Sequence, residues 1–316
     1  MTPDLTRRVF CRSVAYGIAS AALRQRKVGA QQDRLDGLAL AISNYGMQSY
    51  KVDEAIRLIA DLKYDAIELT AMPEWDSSPE RLTGERRGAV RRMFADTGLA
   101  LTSLMENLTP SAADVDHQKT LERLKQAAEL GHELAPDLPP LIQTVLGGGD
   151  WSEKKELYRD RLGDWRRIAE STKTIIAIKP HRSGAMSQPE QAAWLLEQLG
   201  SSPWLGMIYD YSHYAMRGLS VAETVKTAFP ITVQIVVKDV AKKGDQFEFA
   251  LPGEANTFDH AEILTAFYKS GFRRNVCCEV SSQVFRRPGY DAAAAAKACY
   301  DFMSRVFEKA GIPRRR

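Results

Sequence analysis

With 316 residues, 44% of them hydrophobic and 26% charged, the chain can bury a full core, either as one large domain or as two ordinary ones. Its net charge of +3 resides in the first thirty residues, where six Lys or Arg face one Asp, so the remainder sits near −2. A slightly acidic body lacks the clustered positive charge that a phosphate backbone requires, which argues against nucleic acid as a partner.

The chain opens with "TRRVFCRS" at 6–13, followed by the apolar run "VAYGIASAAL" at 14–23, far too short to span a bilayer. Paired arginines ahead of such a run form a twin-arginine export pattern. "VGAQ" at 28–31 offers small residues for cleavage after Ala30, and the basic "RQRK" before it suits the twin-arginine route better than the general one. Residues 1–30 therefore read as an export signal and 31–316 as the mature chain, periplasmic or secreted and without stable membrane insertion; a basic arm is the alternative. The mature chain keeps Cys277, Cys278 and Cys299, an odd count that argues against a disulfide framework. Neighbours on a strand face opposite sides, so Cys277 and Cys278 cannot bridge each other; Cys278 could meet Cys299, but packed free thiols are the simpler expectation.

Beyond the leader, apolar runs alternate with amphipathic segments. Strands are expected at 38–43, 65–70, 99–104, 140–146, 174–179, 205–210, 231–237 and 275–280. Between them, "VDEAIRLIADL" at 52–62 places Ala55, Ile56, Ile59, Ala60 and Leu62 on one helical side. "PEQAAWLLEQL" at 189–199 has Pro and Glu in its first turn, and the helix from His260 closes at Gly271. Eight such pairs with no intervening linker predict a single-domain (β/α)8 TIM barrel. A doubly wound open sheet would also alternate, but "GGGD" at 147–150 has the wrong spacing for a nucleotide loop.

In a barrel of this kind the chemistry gathers where strands end. That rule selects Glu68, Glu106, Lys179, His181, Asp210, His213, Lys238, Asp239 and Glu279. Arg286 and Arg287, after the last strand, are candidates for clamping an anionic group. Trp75, Tyr45 and Trp151 lie in or near the same loops, where a sugar ring could stack or ordinary packing could hold them. "PRRR" at the C-terminus reads as a solvated tail.

Taken together, "YDAIEL", "IAIKPHR", "IYDYSHYAMRG", "VQIVVKD", "PGEANTFD" and "CCEVSS" resemble, in order and spacing, strand ends of the xylose-isomerase-like TIM barrel superfamily, the sugar phosphate isomerase/epimerase family. The resemblance covers nearly the whole mature chain. It implies a sugar isomerase, epimerase or related lyase that moves a proton next to a carbonyl, with a small-molecule carbohydrate as partner. Members usually hold one divalent metal with a Glu on strand five, an Asp on six, a His on seven and a Glu on eight, because hard oxygens plus one imidazole suit Mn²⁺ or Mg²⁺.

Here Asp210 and Glu279 match that set, while Lys179 stands at the fifth-strand Glu and Val236 at the seventh-strand His. Gln234 also faces inward, one layer deeper. The expectation is that Lys179 supplies a fixed cation between Asp210 and Glu279, with no cofactor; weak Mn²⁺ binding at those two carboxylates is the alternative. At an effective dielectric near 20, opposite charges about 4 Å apart attract by roughly 4 kcal/mol before desolvation is subtracted. The resemblance makes Lys179, Glu279, Asp210 and His213 the expected catalytic set, with a rim histidine as the alternative for His213. His181, Glu68, Arg286 and Trp75 are the expected substrate contacts, with loop packing or structural pairing as alternatives. Lys238 and Asp239 read as local charge pairing. A catalytically inactive barrel that binds a sugar or a partner protein is the competing function.

Overall fold

The computed structural model describes residues 36–244 and 246–315. The expected export signal at 1–30 lies outside the described residues. All eight expected strands are present: β1 (Ala39–Ser43), β2 (Ala66–Thr70), β3 (Ala100–Met105), β4 (Leu141–Thr144), β5 (Ile176–Ile178), β6 (Leu205–Tyr209), β7 (Thr232–Val237) and a last one, β10 (Asn275–Cys278). They pair in parallel and close on themselves in the order β1-β10-β7-β6-β5-β4-β3-β2. Buried on both faces, such strands read as near-continuous apolar runs, which explains why they were visible without alternation.

The helices α1 (Val52–Asp61), α2 (Gly84–Thr97), α3 (Asp114–Leu134), α4 (Trp151–Thr172), α5 (Pro189–Gln198), α6 (Val221–Ala228), α7 (His260–Lys269), the short α8 (Ser282–Phe285) and α9 (Ala292–Ala310) follow the strands. Most of the core lies between strands and helices, where Ile56, Leu124, Trp165 and Phe267 are fully enclosed. A smaller apolar cluster of Ala41, Ala66, Leu141, Ala177, Ile208, Val236 and Cys277 fills the barrel interior. Cys277 thus faces in and Cys278 out, and Cys277, Cys278 and Cys299 are buried free thiols.

Two features depart from expectation. An antiparallel hairpin, β8 (Asp239–Lys243) with β9 (Gln246–Ala250), stands between β7 and α7. The C-terminal arginines are also not merely a solvated tail: Arg314 pairs with the buried Asp65 at 2.9 Å and Arg315 donates to the Arg273 carbonyl, tying the chain end to the barrel floor beside β1.

Candidate active site

Period-two alternation builds the site. Along β5, β6, β7 and β10 the inward residues of one layer are Ala177, Ile208, Val236 and Cys277, all apolar. Two residues on, the same alternation brings in Lys179, Asp210, Lys238 and Glu279. These strands are neighbours in the barrel, so the charges alternate in sign around one side of the mouth.

The four side chains close a ring. Lys179 Nζ lies 2.6 Å from Glu279 Oε2 and 3.0 Å from Asp210 Oδ2. Lys238 Nζ lies 2.5 Å from Asp210 Oδ2 and 2.7 Å from Glu279 Oε1. Asp210 Oδ1 accepts from the Ser212 amide and hydroxyl at 3.2 and 2.5 Å. All four residues are buried, Glu279 being the most open at 8%. Burial pushes the Glu279 carboxyl up, but Lys179 and Lys238 outweigh it and hold the group at about 2. The same balance of burial against Lys238 and Lys179 leaves Asp210 well below the usual carboxylate range. Burial disfavours the Lys179 ammonium, yet Glu279 and Asp210 reverse that and raise its pKa.

The lysines differ in what faces their remaining side. Lys238 Nζ sits 4.8 Å from the centre of the Phe249 ring on β9, whereas Lys179 lines an open cavity of about 320 Å³. The hairpin that carries Phe249 is fixed from two directions. Arg182 donates to the Phe247 carbonyl at 3.0 Å, and Gln283 Oε1 accepts from the Phe249 amide at 2.8 Å and from Arg182 at 3.2 Å. With the β6 and β7 side covered, the cavity opens along β2 to β5, where Tyr45, Glu106, Gln143 and His181 join Lys179 and Glu279 in lining it.

The other expected site residues fall in different layers. His181 lines the cavity and accepts from the Ser183 amide and hydroxyl through Nδ1, which leaves its proton on Nε2. Burial first, then His213 and the two lysines, lower its pKa to about 2. His213 is fully enclosed behind it, with ring centres 4.2 Å apart. Its Nδ1 accepts from the Arg182 amide at 3.2 Å, and Nε2 stands 3.3 Å from Asp210 Oδ2. Burial chiefly lowers its pKa to about 4. Glu68 is buried beneath the cavity. Trp75 stacks on Tyr45 at 5.2 Å and donates to its carbonyl, supporting a lining residue from behind. Arg286 is exposed at the end of α8.

Sequence reasoning misplaced Lys238. Its expected partner, Asp239, points the other way and is taken by His260 at 2.6 Å and by the amides of Gly253, Ala255 and Asn256. Counting on from the inward Gln234 by twos would have placed Lys238 in the ring. Gln143 had no signal beyond a polar residue inside an apolar strand. Glu106, held by Arg123 at 2.7 Å, was flagged only as a strand-end acid.

A model of the xylose isomerase-like TIM barrel family matches residues 56–304. The chain belongs to that family. Solved structures with this barrel include the IolI protein with a binding zinc atom, 18% identical with a TM-score of 0.71 over 86% of this chain and 99% of that one. D-Psicose 3-epimerase with D-tagatose, from Clostridium cellulolyticum H10, is 15% identical with a TM-score of 0.68 over 85% and 99%. The 3-keto-D-glucoside 4-epimerase of E. coli, in apo form, is 13% identical with a TM-score of 0.67 over 86% and 99%. A longer fusion protein with a xylose isomerase-like barrel is spanned over 43% of its length. No curated protein matches the chain. Among the described residues, no group of three or more His, Cys, Asp or Glu is placed to hold a metal ion.

Proposed function

We propose that the chain is a sugar isomerase- or epimerase-like enzyme, or a related lyase, that moves a proton beside a carbonyl of a carbohydrate or polyol. The supporting observation is that Lys179 and Glu279, 2.6 Å apart, line the same cavity at the barrel mouth. The Glu279 carboxylate takes the proton from the carbon next to the carbonyl. The C–H electron pair becomes the new C=C bond and the carbonyl π pair moves to oxygen, where the Lys179 ammonium donates a hydrogen bond to the enolate. Protonation of the same carbon on its opposite face gives the epimer; protonation of the neighbouring carbon, with the hydroxyl proton on that carbon passing to the former carbonyl oxygen, gives the isomer. Asp210 and Lys238 hold the pair in register, and His213 positions Asp210 from behind. His181 is the substrate hydrogen-bond donor; Trp75, through Tyr45, and Arg286 at the rim complete the substrate side.

In this reading Lys179 and Lys238 stand where the family's metal would be. The donor set does not fit a divalent ion, because both carboxylates already contact two ammonium groups within 3.0 Å, and an ion would have to displace them. Titration of the mature protein with Mn²⁺ should therefore show no stoichiometric heat, and a tightly bound equivalent would overturn the assignment.

The activity itself is tested by solvent-deuterium incorporation into a panel of ketoses and ketoglycosides. Exchange into one of them that is lost in Glu279→Gln supports the enzyme. A carboxylate held at about 2 is a weak base, and this favours the second reading, a sugar-binding barrel without turnover. Binding without exchange across the panel would establish that reading. The reading also includes export by the twin-arginine route to the periplasm or beyond. Replacing Arg7 and Arg8 by Lys should leave the protein in the cytoplasm, and unchanged export would reject that route.

A further inference from the structure

Beneath the charged ring, Glu68 projects into the barrel from β2, next to a register shift against β3 between Ile67 and Glu68. It is wholly buried. One oxygen, Oε2, accepts from Ser103 Oγ at 2.6 Å, Gln143 Nε2 at 2.7 Å and Gln234 Nε2 at 3.1 Å. Its other oxygen, Oε1, has no hydrogen bond, and neither has Oε1 of Gln143. Two buried acceptors without a donor thus belong to one amide and carboxyl pair already joined at its other end. Leaving both unsatisfied is costly, and a proton on Glu68 Oε1 shared with Gln143 Oε1 would satisfy both.

We infer that Glu68 is a neutral carboxylic acid in the folded protein, its Oε1 proton donated to Gln143 Oε1, so that it acts as a positioning residue for the Gln143 amide. The paired amide and acid would then form a two-bond ring. Gln143 lines the cavity, and this arrangement leaves its second Nε2 hydrogen as a donor to a ligand oxygen. The charges around Glu68 agree. Burial is the main force raising its pKa, and Glu279 adds to it, while the Ser103 and Ser43 hydroxyls and Lys179 pull it down. Cys277, from β10, is also close, and burial keeps its thiol protonated. The lysine and carboxylate ring overhead is already neutral, so an ionised Glu68 would leave the interior with an unbalanced negative charge. The inference does not depend on the proposed activity.

Glu68→Gln copies the arrangement, with amide oxygen in place of Oε2 and amide nitrogen donating to Gln143. Infrared difference spectra of wild type minus Glu68→Gln at neutral pH should show the carbonyl stretch of one protonated carboxyl, shifted in D₂O. Gln143→Leu, which removes the acceptor, should move that band to higher frequency. The linkage has a definite sign. A carboxyl whose pKa is raised on folding stabilises below its unfolded value and loses that contribution as pH rises toward the folded value. Glu68→Gln should therefore melt higher than wild type at pH 8, on the order of 2–4 °C, with the gap shrinking toward pH 5. Absence of the protonated-carboxyl band, or a lower melting point for Glu68→Gln at pH 8 than at pH 5 relative to wild type, would show that Glu68 is ionised and overturn the inference.

Discussion

Lys238 carries as much of the site as Lys179, and its removal tests whether the four charges act as one unit. Exchanging Lys238 for Met leaves Asp210 and Glu279 buried with one counter-cation between them. Losing one partner of a buried pair typically costs about 3–5 kcal/mol, more than the intact pair contributes. Urea denaturation should show a loss of that order for Lys238→Met, partly recovered when Asp210→Asn is added, because the second change removes the stranded charge. Independent costs in the double variant would mean that the ring is not coupled. Lys179, Asp210 and Glu279 were legible because each is a charged residue ending an apolar run. Lys238 shared that position, but Asp239 beside it offered a ready partner; only the inward alternation of Gln234 and Val236 assigns them to opposite faces.

Among the elements, the eight strands and their order could be read from the sequence because burial on both faces makes each one a short apolar block. The hairpin of β8 and β9 could not, since it lies inside a long connection whose polar residues look like loop. "KKGDQFEFA" does hold a Gly-Asp pair beside an alternating stretch, a hairpin signal in hindsight. Its role follows from its anchors. Gln283 accepts from both Phe249 and Arg182, so one side chain ties β9 to α8 and to the loop after β5. Gln283 is itself exposed, so water can replace it and Gln283→Ala should cost about 0.5–1.5 kcal/mol, the net worth of an ordinary hydrogen bond. Amide exchange should quicken over residues 246–250 while the barrel strands keep their protection. Uniform exchange at the wild-type rate would show that Gln283 is not what holds the hairpin, leaving it to Arg182, Arg287 and the packing of Phe249.

For the molecule as a whole, the two stacked histidines and the buried Glu68 and Glu106 carboxyls pull in opposite directions as pH falls. The pKa of His213 falls from 6.5 to about 4 and that of His181 to about 2, burial being the leading cause in both. Between about pH 4 and 6.5 the unfolded chain binds protons at the histidine positions and the folded chain does not, so their contribution falls as pH drops, against the opposite slope of Glu68 and of Glu106, whose carboxyl burial raises to about 9. For His213 alone the shift amounts to about 3 kcal/mol at completion. His117, also lowered by burial, acts in the same direction, whereas the carboxylates of the ring do not contribute until lower pH. Glu279, held at about 2, keeps its stabilising effect above its unfolded value of 4.5 and loses it only as pH falls toward 2. Two separate acid losses are therefore expected, one beginning near pH 6.5 and read as the difference in urea midpoint between wild type and His213→Gln, and one below 4.5. His213→Gln should remove about 3 kcal/mol of the first loss, leaving the shares of His181 and His117, and should leave the second, because an amide in that cavity binds no proton while Lys179, Lys238, Asp210 and Glu279 still face one another. A difference between wild type and His213→Gln that does not change from pH 7 to 5 would mean that His213 is charged in the fold. Asp210 would then have His213 as a third cationic neighbour, and the closed ring of two positive and two negative charges would not describe the barrel mouth.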